Sequence, residues 1–123
     1  MEQLILHLVG DYITQSDWMA LNKTKRSWPA FCHATVYSLP FLLIASPPAV
    51  AAIMVSHFFV DRFRLARYLV WAKNWLSPGY HPWSECSETG FHKALPAWLA
   101  TWLLIVADNT IHLVCNYCAI RWL

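Results

Sequence analysis

An all-α fold, an integral membrane bundle of about four helices, is what this sequence predicts, and three observations point to it. Hydrophobic residues make up 58% of the chain and charged residues only 13%, about half the roughly 25% charge of an average soluble domain. No charged residue occurs from Ala34 to Ser56, and the stretch 94–120 holds only Asp108 and His112 among acidic and basic side chains. Eight tryptophans and five tyrosines supply the amphipathic rings that collect at the two faces of a bilayer. At 123 residues the chain reads as one membrane-embedded helical domain, 1–123.

Four apolar segments follow in order. The first, Glu2 to Trp18, is strongly apolar only in its first half, which suits a short, tilted or half-inserted helix. The second and third, Ala30 to Ser46 and Ala49 to Phe63, meet at Ser46-Pro47-Pro48, and a double proline cannot continue a straight helix. A hairpin turning at Pro47-Pro48 is therefore expected. In one continuous helix His33 and His57 would stand about 36 Å apart, whereas the hairpin returns them to similar depth. A helix is expected to continue from the third segment to about Trp75, ended by Ser77-Pro78-Gly79 and His81-Pro82, with Ser84 to Gly90 a solvated loop. The fourth segment, Ala94 to Ile120, is long enough to span.

Basic residues cluster in two places, Lys23, Lys25 and Arg26 after the first segment and Arg62, Arg64, Arg67, Lys73 and Lys93 between the third and fourth. The positive-inside tendency puts both on the cytoplasmic side and the proline turn outside. The N-terminus opens on Glu2 and His7 interrupts its apolar run, a pattern unlike a cleavable secretory signal. Cys115 and Cys118 form a Cys-x-x-Cys on an apolar helix, where cysteine acts as a small hydrophobe. Three glycines are too few for a phosphate-cradling loop, and neither a serine nucleophile elbow nor a nucleic-acid motif is present.

The chemistry lies in histidine and aspartate. His7 with Asp11, His57 with Asp61, and Asp108 with His112 are each four residues apart, so on a helix each pair shares a face. An aspartate at the centre of a membrane helix costs roughly 2.5–3.5 kcal/mol, and burying several around a cation converts that cost into binding. The candidate metal ligands are His7, Asp11, His33, His57, Asp61, Asp108 and His112. Seven groups exceed one tetrahedral site, so one or two ions, or one ion with outer carboxylates, are expected. Imidazole with carboxylate suits zinc, manganese or iron. Heme fits poorly, because a carboxylate stands one turn from three of the histidines. On a continuous helix Arg64 would join His57 and Asp61 on one face, either to hold an anionic substrate group or to snorkel to lipid headgroups, as Arg62 and Lys73 are expected to do. Tyr37 and Asn116 are candidates either for outer partners or for helix-packing polar groups, and Lys23 belongs to a polar exit.

The strings His7-Leu-Val-Gly-Asp11-Tyr-Ile-Thr-Gln15-Ser-Asp17-Trp-Met-Ala-Leu-Asn22-Lys23, His57-Phe-Phe-Val-Asp61-Arg-Phe-Arg64-Leu-Ala-Arg67-Tyr, Trp71-Ala-Lys-Asn74-Trp75 and Asp108-Asn109-Thr-Ile-His112-Leu-Val-Cys-Asn116 occur together. In combination they resemble a family of small phage and bacterial membrane proteins known as domain of unknown function 3307. More distantly the chain is similar to YdjM-like membrane-bound metal-dependent hydrolases. The resemblance implies a multi-pass protein of the bacterial inner membrane, phage-encoded in some cases, with a membrane His/Asp site, and it names no substrate. Residues and resemblance together lead us to expect a metal-dependent hydrolase acting on an anionic lipid or phosphoester, with Asp11 or Asp61 as base and Arg64 beside the substrate. The alternatives are a non-catalytic membrane protein whose metal or polar cluster staples short helices and which binds a partner protein, and a cation or proton path. Membrane lipids are the expected surroundings, nucleic acid is not an expected partner, and a homo-oligomer is compatible with the bundle.

Overall fold

The computed structural model describes residues 1–123, and they form seven α-helices, a π-helical turn, a 3-10 segment and no β-strand. Residues 1–63 together with 112–123 make one compact unit, and residues 64–111 make another.

In the first unit, α1 (Glu2–Leu8) carries buried His7 and runs directly into the π-helical turn Val9–Ile13. The Thr14 amide donates to the Val9 carbonyl at 3.0 Å, five residues back, so the turn holds one residue more than an α-helical one. Gly10 and Asp11 are its buried residues. Gly10 is required there because the Tyr37 ring lies against it: a Cβ would fall 2.5 Å from Tyr37 Cδ2. The first segment is thus not one helix to Trp18. It bends after Ile13, and Ser16 caps a separate α2 (Asp17–Asn22) by accepting from the Met19 amide at 3.3 Å.

The helices α3 (Ser27–Ser38) and α4 (Pro47–Phe63) pack against each other as the expected hairpin. The reversal lies a little earlier than expected. Pro40 falls in a 3-10 segment, Leu39–Leu43, and the chain turns at Ile44–Ser46. Pro47 and Pro48 then occupy the first turn of α4, where a missing N–H leaves no hydrogen bond unmade. On α4 the buried residues are Ala49, Val50, Ile53, His57, Val60 and Asp61, the three-and-four spacing of one helix face. The core joins Tyr37, Phe41, Ala49, Val50, Ile53 and Ala119.

Polarity in this unit is reversed relative to a soluble protein. His7, Asp11, His33, His57, Asp61, His112 and Asn116 are buried, while Leu4, Leu8, Leu42, Leu43, Val55 and Phe59 are exposed. The one helix long and apolar enough to cross a membrane is α7 (Ala97–Trp122), and 17% of its most apolar stretch is buried, unlike the interior helix of a soluble core. The helices α3 and α4, at 12 and 17 residues, fall short of the ~20 residues of a span. Of the expected architecture, the all-α part stands.

The chain does not stay helical through Arg64. That residue adopts φ 51° and ψ 49°, the left-handed region, which costs a non-glycine residue about 1–2 kcal/mol and ends α4 before α5 (Leu65–Trp75) begins. In the second unit the guanidinium of Arg64 donates to the Glu88 carbonyl at 2.9 Å and that of Arg67 to the Ser87 carbonyl at 2.9 Å. Trp71 Nε1 donates to the His81 carbonyl at 3.2 Å. The expected solvated loop, Ser84 to Gly90, is therefore a tethered segment containing the single turn α6 (Trp83–Cys86), with Cys86 and Gly90 buried.

Gly10→Ala is expected to lower stability by about 1–3 kcal/mol through the clash with the Tyr37 ring. Chemical denaturation followed by circular dichroism measures this, and an unchanged midpoint would show that the ring has room to shift.

Candidate metal centre

Four side chains of the first unit meet at one point. The π-helical turn supplies Asp11, α3 supplies His33, and α4 supplies His57 and Asp61 one turn apart. His33 Nε2 lies 3.1 Å from Asp11 Oδ1, 3.2 Å from Asp61 Oδ2 and 3.0 Å from His57 Nε2. His57 Nε2 lies 3.3 Å from Asp11 Oδ1 and 3.2 Å from Asp61 Oδ2. One ligand atom from each of the four residues lies within 4.8 Å of every other, so they could hold a metal ion.

Hydrogen bonding alone does not account for this convergence. Each imidazole has at most one proton on Nε2, and a carboxylate has none, so two protons at most serve five contacts of 3.0–3.3 Å. A tetrahedral ion with bonds of about 2.0–2.1 Å places its ligand atoms about 3.3–3.4 Å apart. The five separations, 3.0–3.3 Å, are close to the edges of such a tetrahedron. A group of two imidazoles and two carboxylates is also a donor set suited to zinc, manganese or iron.

The outer oxygens of both carboxylates are held in parallel fashion. Asp11 Oδ2 lies 3.4 Å from His7 Nδ1, and Asp61 Oδ1 lies 3.3 Å from His112 Nε2. Beyond them, the Tyr37 hydroxyl lies 2.8 Å from His7 Nδ1 and accepts from Asn116 Nδ2 at 2.7 Å. Outer contacts of this kind orient carboxylate ligands. His57 is oriented by packing instead: its ring stacks on Tyr37 at a centroid distance of 3.7 Å on one partner and on His112 at 4.0 Å on the other. The Nδ1 atoms of His33 and His57 are buried with no hydrogen-bond partner. Burial works against an ionised Asp11, yet hydrogen bonds with His33 and His57 outweigh it and hold that carboxyl well below the usual carboxylate range.

The seven sequence candidates therefore sort by position. Asp11, His33, His57 and Asp61 supply the converging atoms, and His7 and His112 contact the far oxygens of the aspartates. Asp108 stands on the part of α7 that belongs to the second unit, half-buried. Arg64, expected on the face of His57 and Asp61, points elsewhere because the left-handed break at its own backbone ends the helix and its guanidinium is taken by the Glu88 carbonyl. Tyr37 hydrogen-bonds with His7 and Asn116, which joins both residues to the polar network.

Two residues carry more than the sequence suggested. Lys23, read as part of a polar exit, brings Nζ to 2.8 Å from Asp61 Oδ2 and 3.2 Å from His33 Nε2. Arg62, read as a lipid-facing arginine, donates to the Thr24 carbonyl at 3.0 Å and to Ser27 Oγ at 3.3 Å, pinning the turn that presents Lys23. No periodic pattern links residues 23 and 62, so neither contact had a sequence signal.

Comparison with known proteins places a family-model match, described as protein of unknown function (DUF3307), over residues 1–115. No curated protein and no solved structure matches the chain.

Tyr37→Phe leaves the Asn116 amide without its acceptor in a buried setting, so a loss of about 1–3 kcal/mol in unfolding free energy is expected with helix content retained. Denaturant titration of the variant beside wild type tests this; equal midpoints would remove Tyr37 from the network.

Proposed function

Since the chain belongs to the DUF3307 family, whose description assigns no activity, we propose its function from the site: a membrane-associated, metal-dependent hydrolase. The observation that carries this reading is the meeting of Asp11, His33, His57 and Asp61 at tetrahedral spacings in a buried setting. Four donors suffice for one ion, and zinc, with manganese or iron as close competitors, suits two imidazoles and two carboxylates. A bound divalent ion would supply a nucleophile by lowering the pKa of a coordinated water toward neutrality. Asp11 and Asp61 each have one oxygen at the centre and one outside it, so the carboxylate not fully used as a ligand would act as general base, with its outer oxygen steadied by His7 or His112.

The substrate class we assign is an anionic lipid or phosphoester approached from a membrane surface. Support comes from the exposed apolar side chains of the first unit and from α7, which is long and apolar enough to cross a membrane. A multi-pass arrangement in a bacterial inner membrane is part of the same proposal, with the short α3–α4 hairpin embedded beside α7.

A second reading is favoured by one observation, the completeness of the four-donor set. Structural metal sites are closed and catalytic ones keep a position open, so the ion could serve to staple elements as short as α1, with 7 residues, and α2, with 6.

Mass spectrometry on detergent-purified protein is expected to find about one equivalent of a transition metal, lost in His33→Ala and in Asp61→Ala. Metal-loaded wild type is expected to cleave phosphatidic acid or a nitrophenyl phosphodiester, and Asp61→Asn to lower that rate by about 100-fold or more while staying folded. Protein that takes up no zinc, manganese or iron would end the metal reading. Variants that unfold wholesale, with no cleavage by wild type, would favour the staple.

A further inference from the structure

The chemistry of the cluster leaves one charge without a settled role, and that charge is Lys23. Its ammonium contacts Asp61 Oδ2 at 2.8 Å and His33 Nε2 at 3.2 Å, two of the four converging atoms. The Asp61 oxygen nevertheless has no hydrogen bond of acceptable geometry, so the lysine is drawn by charge and is not docked on it. Lys23 is also the most accessible group at the centre: its side chain is 18% exposed, against 9% for Asp11 and 3% or less for Asp61, His33 and His57. Solvent therefore comes nearest the cluster at Lys23. The turn that carries it is fixed by the two Arg62 hydrogen bonds, so the ammonium is held near the centre by more than its own flexible stem.

Counting charge shows what this placement does. With the imidazoles neutral, as metal ligation requires, two carboxylates and one ammonium sum to minus one. A divalent ion would raise it to plus one, with two cations as neighbours across Asp61 Oδ2. Like charges at such range in a poorly solvated site repel strongly. A single anionic oxygen set between them removes the repulsion and satisfies both. We propose that Lys23 seats the anionic group of the substrate, a phosphate or phosphonate oxygen shared with the metal, and so couples the binding of metal and anion. This rests on the metal centre proposed above and adds to it the residue that selects an anionic substrate.

The coupling is reciprocal, so it can be read from the metal side. Zinc binding to the full chain in detergent is measured by titration calorimetry, with and without methylphosphonate as a soluble monoanionic probe. In wild type and in Lys23→Arg the anion is expected to tighten zinc by about tenfold. In Lys23→Met zinc alone is expected to bind more tightly than to wild type, because the competing charge is gone, and the anion to change its affinity less than about twofold. Circular dichroism of Lys23→Met beside wild type confirms that the variant is folded. An equal anion effect in Lys23→Met, or no anion effect in wild type, overturns the assignment of Lys23 while leaving the metal centre intact. Absence of zinc binding in both wild type and Lys23→Met overturns the centre and this inference together.

Discussion

Everything in the first unit is arranged around the difficulty of keeping two carboxylates away from water. Asp11 and Asp61 are both buried, where an unpaired charge is expensive. Each is met from two sides, by imidazole nitrogens at the centre and by a further histidine at its outer oxygen. The hairpin, the π-helical turn and the last dozen residues of α7 are the elements that bring those partners in. Loss of one imidazole would leave a buried charge poorly matched, so the network behaves as a unit and its members are not independent.

Much of the site was legible in the sequence because it follows simple helical geometry. The four-residue spacings of His7 with Asp11 and of His57 with Asp61 survive in the fold, and the proline pair led to the hairpin that brings His33 to His57. What spacing cannot express is which side of a carboxylate a partner will meet. His7 and His112 looked equivalent to His33 and His57, yet a π-helical turn and a different helix put them on the outer oxygens. Lys23 was illegible because its approach depends on a bend after Ile13 and on a turn clasped from another helix, neither of which leaves a periodic trace.

The arginines teach a related lesson. Arg62, Arg64 and Arg67 read as a cytoplasmic charge run, but all three spend hydrogen-bond donors on main-chain carbonyls of their own unit. A planar guanidinium is well suited to gather such carbonyls from an irregular segment. Their presence therefore reports the need to tether turns, and says correspondingly less about which side of a membrane they face. The all-α class and the α3–α4 hairpin came from hydropathy and punctuation; the break at Arg64 did not, because an arginine in the left-handed region has no compositional signal.

The first unit is also split along the chain, with residues 64–111 lying between its two parts. The four central donors have all been synthesised by residue 61, whereas His112, the partner of the outer Asp61 oxygen, follows 51 residues later. At about 5–20 residues per second, a nascent chain waits roughly 3–10 s for that last support. A cation captured before then would hold the hairpin and the first turn together until the C-terminal helix arrives.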